Sequence, residues 1–428
     1  MGLKRALPSA ENHWTSHAAA PAVHSTGREH PFRSVGKRNV FFDTEFDREA
    51  PMVIEQVRWT QAGGWGPHAP GRMRVAPQLV LVFGGETMLL GGPPLDDVRR
   101  AYPAARILGC STAGEICDTR VADETLVATA VHFEHARVEG ALLPIGSDSS
   151  AAGRRLAAAL PPEGLRHAFV LADGLTVNGT EFAHGLRAGL PAHVAVTGGL
   201  AGDGNRFQHT TVVMDGEAGS GNAAILGFYG ERLAVGHGCM GGWGAFGPER
   251  LITRSSGRVL YELDGQPVLA LYQKYLGEHA SGLPGTGLMF PLVLRTPDGA
   301  QGVARVVLGI DEAVQSVTFA GDMPEGAYAR LMMASPERLL EGAAGAARAA
   351  LEGVGAQEPG LALLVSCTGR KLVLEKRIGE EVEAVRETLG THPALAGFYS
   401  YGEIAPLATG AGLELQNQTM VVTTFAER

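Results

Sequence analysis

The chain alternates between apolar runs and polar, glycine-containing segments. Three times, an apolar run typical of a buried strand is followed by a helical segment and by a second apolar run that closes in a glycine-rich loop. These units cover residues 78–116, 168–204 and 361–404. The predicted strands are 78–84, 106–116, 168–173, 194–204, 361–366 and 394–404, and the predicted helices are 95–101, 180–189 and 380–389.

The segments between these units also contain apolar runs. Residues 223–228 and 233–237 predict two strands joined as a hairpin, and residues 303–308 and 314–319 predict another antiparallel pair. Strands that pair partly antiparallel, with helices outside them, favour an α+β fold. We therefore expect mixed sheets, helices on the outer faces and glycine-rich loops at strand ends. The helices predicted here are 266–276 and 336–352.

A length of 428 residues exceeds one ordinary core and predicts two domains. The first and third units end alike, in Gly109-x4-Gly114-Glu115-Ile116 and Gly397-x4-Gly402-Glu403-Ile404, which suggests two related halves.

Residues 1–50 lack apolar periodicity and predict a disordered extension, with Met52 as a candidate start. The predicted division is an extension (1–50), a lead-in segment (51–77), an N-terminal domain (78–255), a C-terminal domain (256–408) and a terminal strand segment (409–428).

Composition and charge exclude several classes of partner. The formal net charge is −9 at pH 7 and lysine and arginine are not clustered, so neither nucleic acid nor an anionic membrane is expected as a partner. No uninterrupted apolar stretch approaches the ~18–20 residues of a membrane span, and no signal peptide is recognisable, so we expect a cytoplasmic protein. The four cysteines form no Cys-x-x-Cys pair, which argues against a structural zinc site and a disulfide framework.

The loop that closes the first unit resembles two catalytic motifs without matching either. Gly109-x4-Gly114 has the glycine spacing of a phosphate-binding loop, but Glu115 stands where such a loop carries lysine, and a carboxylate repels phosphate. Residues 109–113 (GCSTA) approach the nucleophile elbow Gly-x-Ser-x-Gly but end in alanine. Cys110 is a candidate nucleophile, and a buried, inert thiol is the commoner alternative.

Acidic residues in these loops are candidates for ligand contacts. A glutamate after a glycine at a strand end can cap a helix or accept a hydrogen bond from a ligand's ammonium or hydroxyl group. Glu115 and Glu403 occur at matching positions, so the two loops are expected to perform the same role. Asp203 lies in GGLAGDG (198–204), a loop whose backbone N–H groups can form an anion-binding nest.

Seven segments resemble the FIST family in their order and spacing. They are GCSTAGEI (109–116), GGLAGDG (198–204), Gly242–Trp243, LDGQPVLALY (263–272), SCTGR (366–370), GFYSYGEI (397–404) and QNQT (416–419). The resemblance implies a non-enzymatic sensory module that binds a small ligand such as an amino acid. It also implies a signalling partner, such as a histidine kinase or a cyclic-dinucleotide enzyme.

A ligand pocket between the two domains is expected from these loops. The residues predicted to bind the ligand are Gly109, Ser111, Thr112, Gly114, Glu115, Gly199, Asp203, Arg370, Tyr399, Tyr401 and Glu403.

One branch of the family is resembled further. The segment MVIEQVRWTQAGGWGP (52–67) is similar to the start of stand-alone members, among them nitric-oxide-sensing proteins that bind haem b and regulate a kinase. A haem site needs an axial His, Cys, Met or Tyr in an apolar pocket. His237, close in sequence to Cys239 and Met240, is the candidate axial ligand, and a hydrogen-bonded histidine at a strand end is the alternative.

Three hypotheses about function therefore stand at the level of the sequence. The first is a non-enzymatic sensor of a small metabolite that acts on a partner protein. The second is a haem b sensor of nitric oxide that uses His237. The third is an enzyme that uses Cys110 or Ser111 as nucleophile, with Glu115 as its acid–base partner.

Overall fold

The computed structural model describes residues 52–295, 302–407 and 412–428, so the extension predicted at 1–50 lies outside the described residues. The described chain forms four β-sheets with helices packed on them. Three sheets come from three equivalent units, formed by residues 52–133 (unit 1), 137–229 (unit 2) and 233–240 with 336–427 (unit 3). The fourth belongs to residues 243–334, which we call the inserted module.

The bounds of the elements are as follows. Unit 1 contains β1 (Met52–Thr60), β2 (Gly64–Gly66), β3 (Leu79–Gly84), α1 (Glu86–Leu89), α2 (Pro93–Ala101), β4 (Arg106–Ser111), β5 (Glu115–Cys117), β6 (Arg120–Ala122) and β7 (Thr125–Phe133). Unit 2 contains β8 (Arg137–Pro144), α3 (Ser149–Ala158), β9 (Leu165–Ala172), α4 (Gly179–Gly189), β10 (Ala195–Leu200), β11 (Val212–Met214), β12 (Glu217–Gly219) and β13 (Asn222–Tyr229).

The remaining elements belong to unit 3 and the inserted module. Unit 3 begins with β14 (Leu233–Met240). The inserted module follows with β15 (Trp243–Ser256), β16 (Val259–Leu263), β17 (Gln266–Pro267), α5 (Val268–Leu276), β18 (Leu292–Arg295), β19 (Val303–Arg305), β20 (Val307–Asp311), β21 (Ser316–Phe319) and β22 (Tyr328–Ala334). Unit 3 resumes with α6 (Pro336–Gly353), β23 (Leu361–Cys367), α7 (Thr368–Leu374), α8 (Ile378–Leu389), β24 (Ala394–Ser400), β25 (Glu403–Pro406), β26 (Leu413–Gln416) and β27 (Met420–Glu427).

The three units share one strand order. In each, the two strands of the predicted strand–helix–strand segment pair in parallel: β3 with β4, β9 with β10 and β23 with β24. A later strand of the unit, β7, β13 or β27, pairs antiparallel with the first of the two. The strand that opens the unit, β1, β8 or β14, then pairs with that later strand. The mixed sheets of the predicted α+β fold are therefore confirmed.

The units also exchange strands in a cycle. After its parallel pair, each unit sends a short strand into the sheet of another unit: β5 of unit 1 pairs with β24, β25 of unit 3 pairs with β10, and β11 of unit 2 pairs with β4. This cycle gives the molecule a pseudo-threefold organisation. The expectation of two related halves was therefore incomplete, because the unit that ends in GGLAGDG is a third copy with a different loop sequence.

The three sheets face one shared apolar core and carry helices on their outer faces. The shared core contains buried residues of every unit, among them Leu81, Phe169 and Phe398. Separate apolar layers lie beneath α2, beneath α3 and α4, and beneath α6 and α8. Because the central strands are buried on both faces, they are apolar along their whole length, as in LVLVFG of β3. The predicted outer position of the helices is confirmed.

The inserted module has a sheet and an apolar core of its own. The antiparallel pair predicted between 303–308 and 314–319 is confirmed in part: β20 (307–311) pairs with β21 (316–319), whereas residues 303–305 form β19 and pair with β18. The hairpin predicted across residues 229–232 is wrong, because β13 and β14 lie in different sheets and the three residues between them carry the chain from unit 2 to unit 3. The predicted domain boundary at 255/256 falls where β15 turns into β16.

No helix within the described ranges has the length and apolar character that a membrane span requires.

Candidate functional site

The three glycine-rich loops meet and hydrogen-bond to one another through their backbones. Ala113 N–H donates to Tyr399 C=O at 2.8 Å, and Tyr399 N–H donates to Gly114 C=O at 2.8 Å. Gly202 N–H donates to Ser111 C=O at 2.9 Å, which joins units 1 and 2. Leu200 N–H donates to Gly402 C=O at 2.8 Å, which joins units 2 and 3. Each loop is therefore positioned by the other two.

The first glycine of each loop is required by strand packing. Gly109, Gly198 and Gly397 occupy equivalent positions on the second strand of each parallel pair. A Cβ at any of them would overlap the carbonyl oxygen of the neighbouring strand, on Val82, Val170 and Leu364 respectively. Strand packing alone therefore accounts for the glycines at positions 109 and 397, and no bound ligand is needed to explain them.

Glu115 and Glu403 have equivalent and entirely local hydrogen bonds. Thr112 Oγ1 donates to one Glu115 oxygen at 2.5 Å, and Thr125 donates to the other from its N–H at 2.9 Å and its hydroxyl at 2.8 Å. In unit 3, Ser400 Oγ donates to one Glu403 oxygen at 2.6 Å. Its second oxygen accepts the Thr419 N–H at 3.1 Å and hydroxyl at 2.9 Å. The two glutamates therefore have the same role in holding their own loops, and a shared role towards a ligand stays a prediction.

Burial alters the protonation of both carboxyl groups. Glu115 is 1% exposed and Glu403 is fully buried. Desolvation raises the pKa of each to about 7, against the opposing effect of their threonine and serine hydrogen bonds. Nearby Asp123 raises the pKa of Glu115 further, and Arg370 lowers that of Glu403. Both groups therefore change protonation state near neutral pH.

These two carboxyl groups contribute stability that is expected to decrease as the pH rises towards neutrality, whereas the buried His167 and His237, with lowered pKa values, act in the opposite direction. A carboxyl group with a raised pKa keeps its proton in the folded chain after the unfolded chain has released it. The contribution of such a group to the free energy of unfolding is complete below the pKa of glutamate in the unfolded chain, about 4.3. It is lost as the pH rises to about 7, a change of about 3 kcal/mol for each group. Denaturant unfolding of wild type, Glu115→Gln and Glu403→Gln at pH 5 and pH 8 measures this loss.

Each glutamine variant should lose less stability than wild type between pH 5 and pH 8, by about 3 kcal/mol, because one of the two titrating carboxyl groups is removed. The exposed Glu163→Gln serves as control and should retain the wild-type pH dependence. A Glu115→Gln protein with the full wild-type pH dependence would contradict the assignment.

A cavity of about 400 Å³ opens beside the loop of unit 1. Of the predicted ligand-binding residues, Thr112, Gly114 and Glu115 line it. Residues that sequence reasoning missed complete it: Gly85, Ala113, Asp123, Glu124, Gly204, Asn205, Lys371, Leu372 and Glu375. Residues from all three units therefore border one cavity.

Lys371 supplies the positive charge in this cavity. Its ammonium donates to Ala113 C=O at 2.7 Å, pairs with Asp123, and lies 5.7 Å from the centre of the Tyr399 ring. The sequence motif SCTGR that points to this region ends one residue before Lys371. A search for a cation next to that motif would have found it.

Arg370 and Tyr399 lie behind the cavity in a buried polar network. Arg370 is fully buried, and its guanidinium contacts Glu381 at 2.6 Å and Leu339 C=O at 2.7 Å. Tyr399 donates its hydroxyl to the same Glu381 at 2.8 Å, and Ser366 does so at 3.0 Å. These side chains are therefore satisfied within the fold and do not border the cavity.

The nest predicted at 198–204 does not form, because Gly202 and Gly204 donate their N–H groups to Ser111 C=O and Thr112 C=O, and the Asp203 carboxylate instead caps the residues that follow the loop. It accepts backbone N–H bonds from Phe207 at 2.8 Å, Gln208 at 2.9 Å and His209 at 3.0 Å, and the Tyr401 hydroxyl also donates to it. Although desolvation raises the pKa of Asp203, these four hydrogen bonds outweigh it and lower the pKa. The Tyr401 ring stacks on that of Phe207 at 4.5 Å.

The other predicted positions are also buried in the fold. Ser111 Oγ accepts the Thr211 N–H at 2.9 Å, and a Cβ at Gly199 would lie 2.7 Å from Val365 Cγ1. Cys110 is fully buried in the shared core. Desolvation, followed by the nearby Glu115 charge, raises the pKa of its thiol well above the usual value.

The surroundings of His237 do not fit a haem group. Its Nε2 is buried and has no hydrogen-bond partner within the described part of the chain, as an axial ligand could be. Desolvation lowers its pKa and keeps the imidazole neutral, which also suits a ligand. However, its ring lies 6.4 Å from that of His167, which packs against Phe228 and Phe425. His237 borders neither the 400 Å³ cavity nor a second one beside Tyr102 and Asp215. Among residues 52–295, 302–407 and 412–428, no group of three or more His, Cys, Asp or Glu side chains is placed to hold a metal ion.

The fold and this cavity define a class of protein: three α+β units that exchange strands in a cycle and enclose a small polar cavity where their loops meet. Comparison with known families then identifies the family. The FIST N domain matches residues 78–266 and the FIST C domain matches residues 269–406, so the chain belongs to the FIST family. FIST domains are associated with sensing and signal transduction.

Comparisons with curated proteins and with solved structures do not bear on the function of this chain. No curated protein matches this chain significantly. Among solved structures, the cyanuric acid hydrolase of A. caulinodans is similar over 88% of this chain and 99% of its own, at 10% identity and a TM-score of 0.34.

Proposed function

We propose that this FIST protein is a non-enzymatic sensor that binds a small ligand in the 400 Å³ cavity and regulates a signalling partner, such as a histidine kinase or a cyclic-dinucleotide enzyme. The observation that carries the proposal is the position of the cavity. Thr112 and Glu115 come from unit 1, Gly204 and Asn205 from unit 2, and Lys371 from unit 3. A ligand bound here contacts all three units at once.

That position supports coupling between ligand binding and conformation. The three loops hold one another through backbone hydrogen bonds, so a ligand that draws the loops together favours one arrangement of the units over another. A ligand shifts such an equilibrium only by its difference in affinity for the two arrangements. Contacts to all three units provide this difference.

The charges of the cavity indicate the kind of ligand. The lining includes the carboxyl groups of Glu115, Asp123, Glu124 and Glu375 together with the ammonium of Lys371. A ligand with a positive group beside the carboxylates and a polar or anionic group at Lys371 matches this lining. Small zwitterions, such as amino acids, have this combination.

The chemistry of the candidate nucleophiles supports a binding role. Cys110 does not line the cavity, and its raised pKa keeps it in the unreactive thiol form. The Ser111 hydroxyl accepts a backbone N–H and is fully buried. We therefore propose that the protein binds its ligand without transforming it.

Titration calorimetry with the common amino acids tests the proposal. At least one is expected to bind wild type saturably. Lys371→Met should weaken that binding about tenfold or more, because it removes a charge-assisted contact. Lys376→Met, which removes an exposed charge outside the cavity, should bind as wild type does. Absence of binding across the panel, or equal affinity in Lys371→Met, would overturn the proposed site.

Added hemin provides a separate readout for the haem hypothesis. We expect no Soret band from a specific complex, given the surroundings of His237. A band that appears with wild type and disappears in His237→Ala would favour the haem sensor instead.

A further inference from the structure

The pseudo-threefold organisation places residues equivalent to one wall of the open cavity in unit 3. Thr125 and Thr419 are equivalent, since each bonds the glutamate of its own loop through both N–H and hydroxyl. The residue before each, Glu124 or Gln418, has left-handed backbone, with φ of 53° and 62° respectively. The residues that precede these threonines therefore correspond: Asp123 and Glu124 in unit 1, and Asn417 and Gln418 in unit 3.

The two equivalent regions differ in exposure. The side chains of Asp123 and Glu124 are 63% and 55% exposed and line the open cavity. Asn417 and Gln418 are fully buried, and neighbouring Gln416 is 1% exposed.

The inserted module covers the unit 3 region. Gln418 Nε2 donates to Leu288 C=O of the module at 2.8 Å, and Arg305 of the module donates to Leu415 C=O at 3.0 Å. Neither Leu288 nor Arg305 lies in the three repeated units. The module therefore closes over the position that is open to solvent in unit 1.

Several polar atoms enclosed here lack partners. Within the described ranges, both side-chain atoms of Asn417 and the Oε1 atoms of Gln416 and Gln418 have no hydrogen-bond partner. Buried amide groups without partners are rare in folded proteins, and a bound molecule is one of their explanations. Glycines flank the amides: a Cβ at Gly402 would lie 3.6 Å from Asn417 Nδ2, and one at Gly369 would overlap the Gln418 amide.

The charged side chains around these amides already have partners, and Arg305 also lies 3.9 Å from the carboxylate of Glu414. Both Glu403 oxygens accept hydrogen bonds from Ser400 and Thr419. Arg305 donates to backbone carbonyl groups. The unpaired atoms are three carbonyl oxygens and one NH2 group, so they match a neutral partner that both donates and accepts hydrogen bonds.

We propose that Gln416, Asn417 and Gln418 form a second ligand site, enclosed by the inserted module, for a small uncharged molecule of the carboxamide, ureide or cyclic imide class. The site is separate from the open cavity and does not depend on the ligand proposed there. Because the module covers the site, binding is expected to be slow and to require the module to lift from unit 3.

Binding of acetamide, N-methylurea and hydantoin to the full chain tests this site. Ligand-observed NMR should detect saturable binding of at least one of them. The charged analogues acetate and guanidinium should bind at least tenfold more weakly. Asn417→Leu should weaken binding of the neutral probe at least tenfold, whereas Asp123→Asn, the matched change in the open cavity, should leave that binding unchanged.

Two further measurements separate a ligand site from a structural role. Because Asn417→Leu removes two unpaired buried atoms, the variant without ligand should melt at or above the wild-type temperature. A crystal structure of wild type soaked with the bound probe should show it hydrogen-bonded to Asn417. Ordered water alone at Asn417, or affinity for the neutral probes that does not exceed that for the charged ones, would overturn the proposal.

Discussion

Replacing Gly109 with alanine is expected to lower the free energy of unfolding by about 4 kcal/mol or more. The new Cβ would overlap the carbonyl oxygen of Val82 on the parallel neighbour strand, and neither backbone can move without breaking the sheet that positions the loop. Gly397→Ala, which meets the carbonyl oxygen of Leu364, should have an effect of the same size. Denaturant unfolding followed by circular dichroism measures both.

Gly379→Ala is the matched control. This glycine lies in α8 with no atom within 4 Å of an added Cβ. Since alanine favours a helix, the variant should be more stable than wild type by roughly 0.5–1 kcal/mol. A Gly109→Ala protein within about 1 kcal/mol of wild type would show that the loop glycine is not fixed by strand packing.

Replacing Arg370 with methionine is the second change with a large expected effect. The variant leaves the Glu381 carboxylate in the interior without its cation, at a cost of about 3–5 kcal/mol. Tyr399 and Ser366 continue to donate to Glu381, but two neutral donors do not replace a guanidinium. Chemical denaturation gives the free energy of unfolding.

The double variant Arg370→Met/Glu381→Gln tests the cause of that loss. A neutral glutamine still accepts from Tyr399 and Ser366 and leaves no unpaired charge, so the double variant should recover a large part of the stability. Arg377→Met, which removes a cation from exposed ion pairs with Glu380 and Glu337, should lower the stability much less than Arg370→Met does. A double variant no more stable than Arg370→Met would mean that packing, and not charge, explains the effect.

The candidate site was only partly accessible from sequence. Thr112, Gly114 and Glu115 were predicted because the GCSTAGEI loop is distinctive, and they line the cavity. Lys371 and Asp123 were missed because each is an isolated charged residue without a local pattern. They meet because β5 of unit 1 joins the sheet of unit 3, which brings together residues 248 positions apart.

Some predicted site residues have roles that the tertiary structure explains. Arg370 looked like a ligand contact because it follows a strand end in a recognisable motif, but it neutralises Glu381. Asp203 looked like part of an anion-binding loop, but its carboxylate accepts the backbone N–H groups of residues 207–209, which follow that loop. The sequence shows that these residues belong to distinctive motifs, but it does not show which groups they contact.

The sequence by itself determined the local elements, the α+β class and the family, because runs such as LVLVFG and loops such as GCSTAGEI carry their information in adjacent residues. The three repeated units are visible in the sequence, but the exchange of strands among them was decided by tertiary structure alone, since it joins segments distant in the chain. The position of the inserted module over Gln418 was decided in the same way. Strand pairing and burial depend on residues brought together from afar, and no local pattern records them.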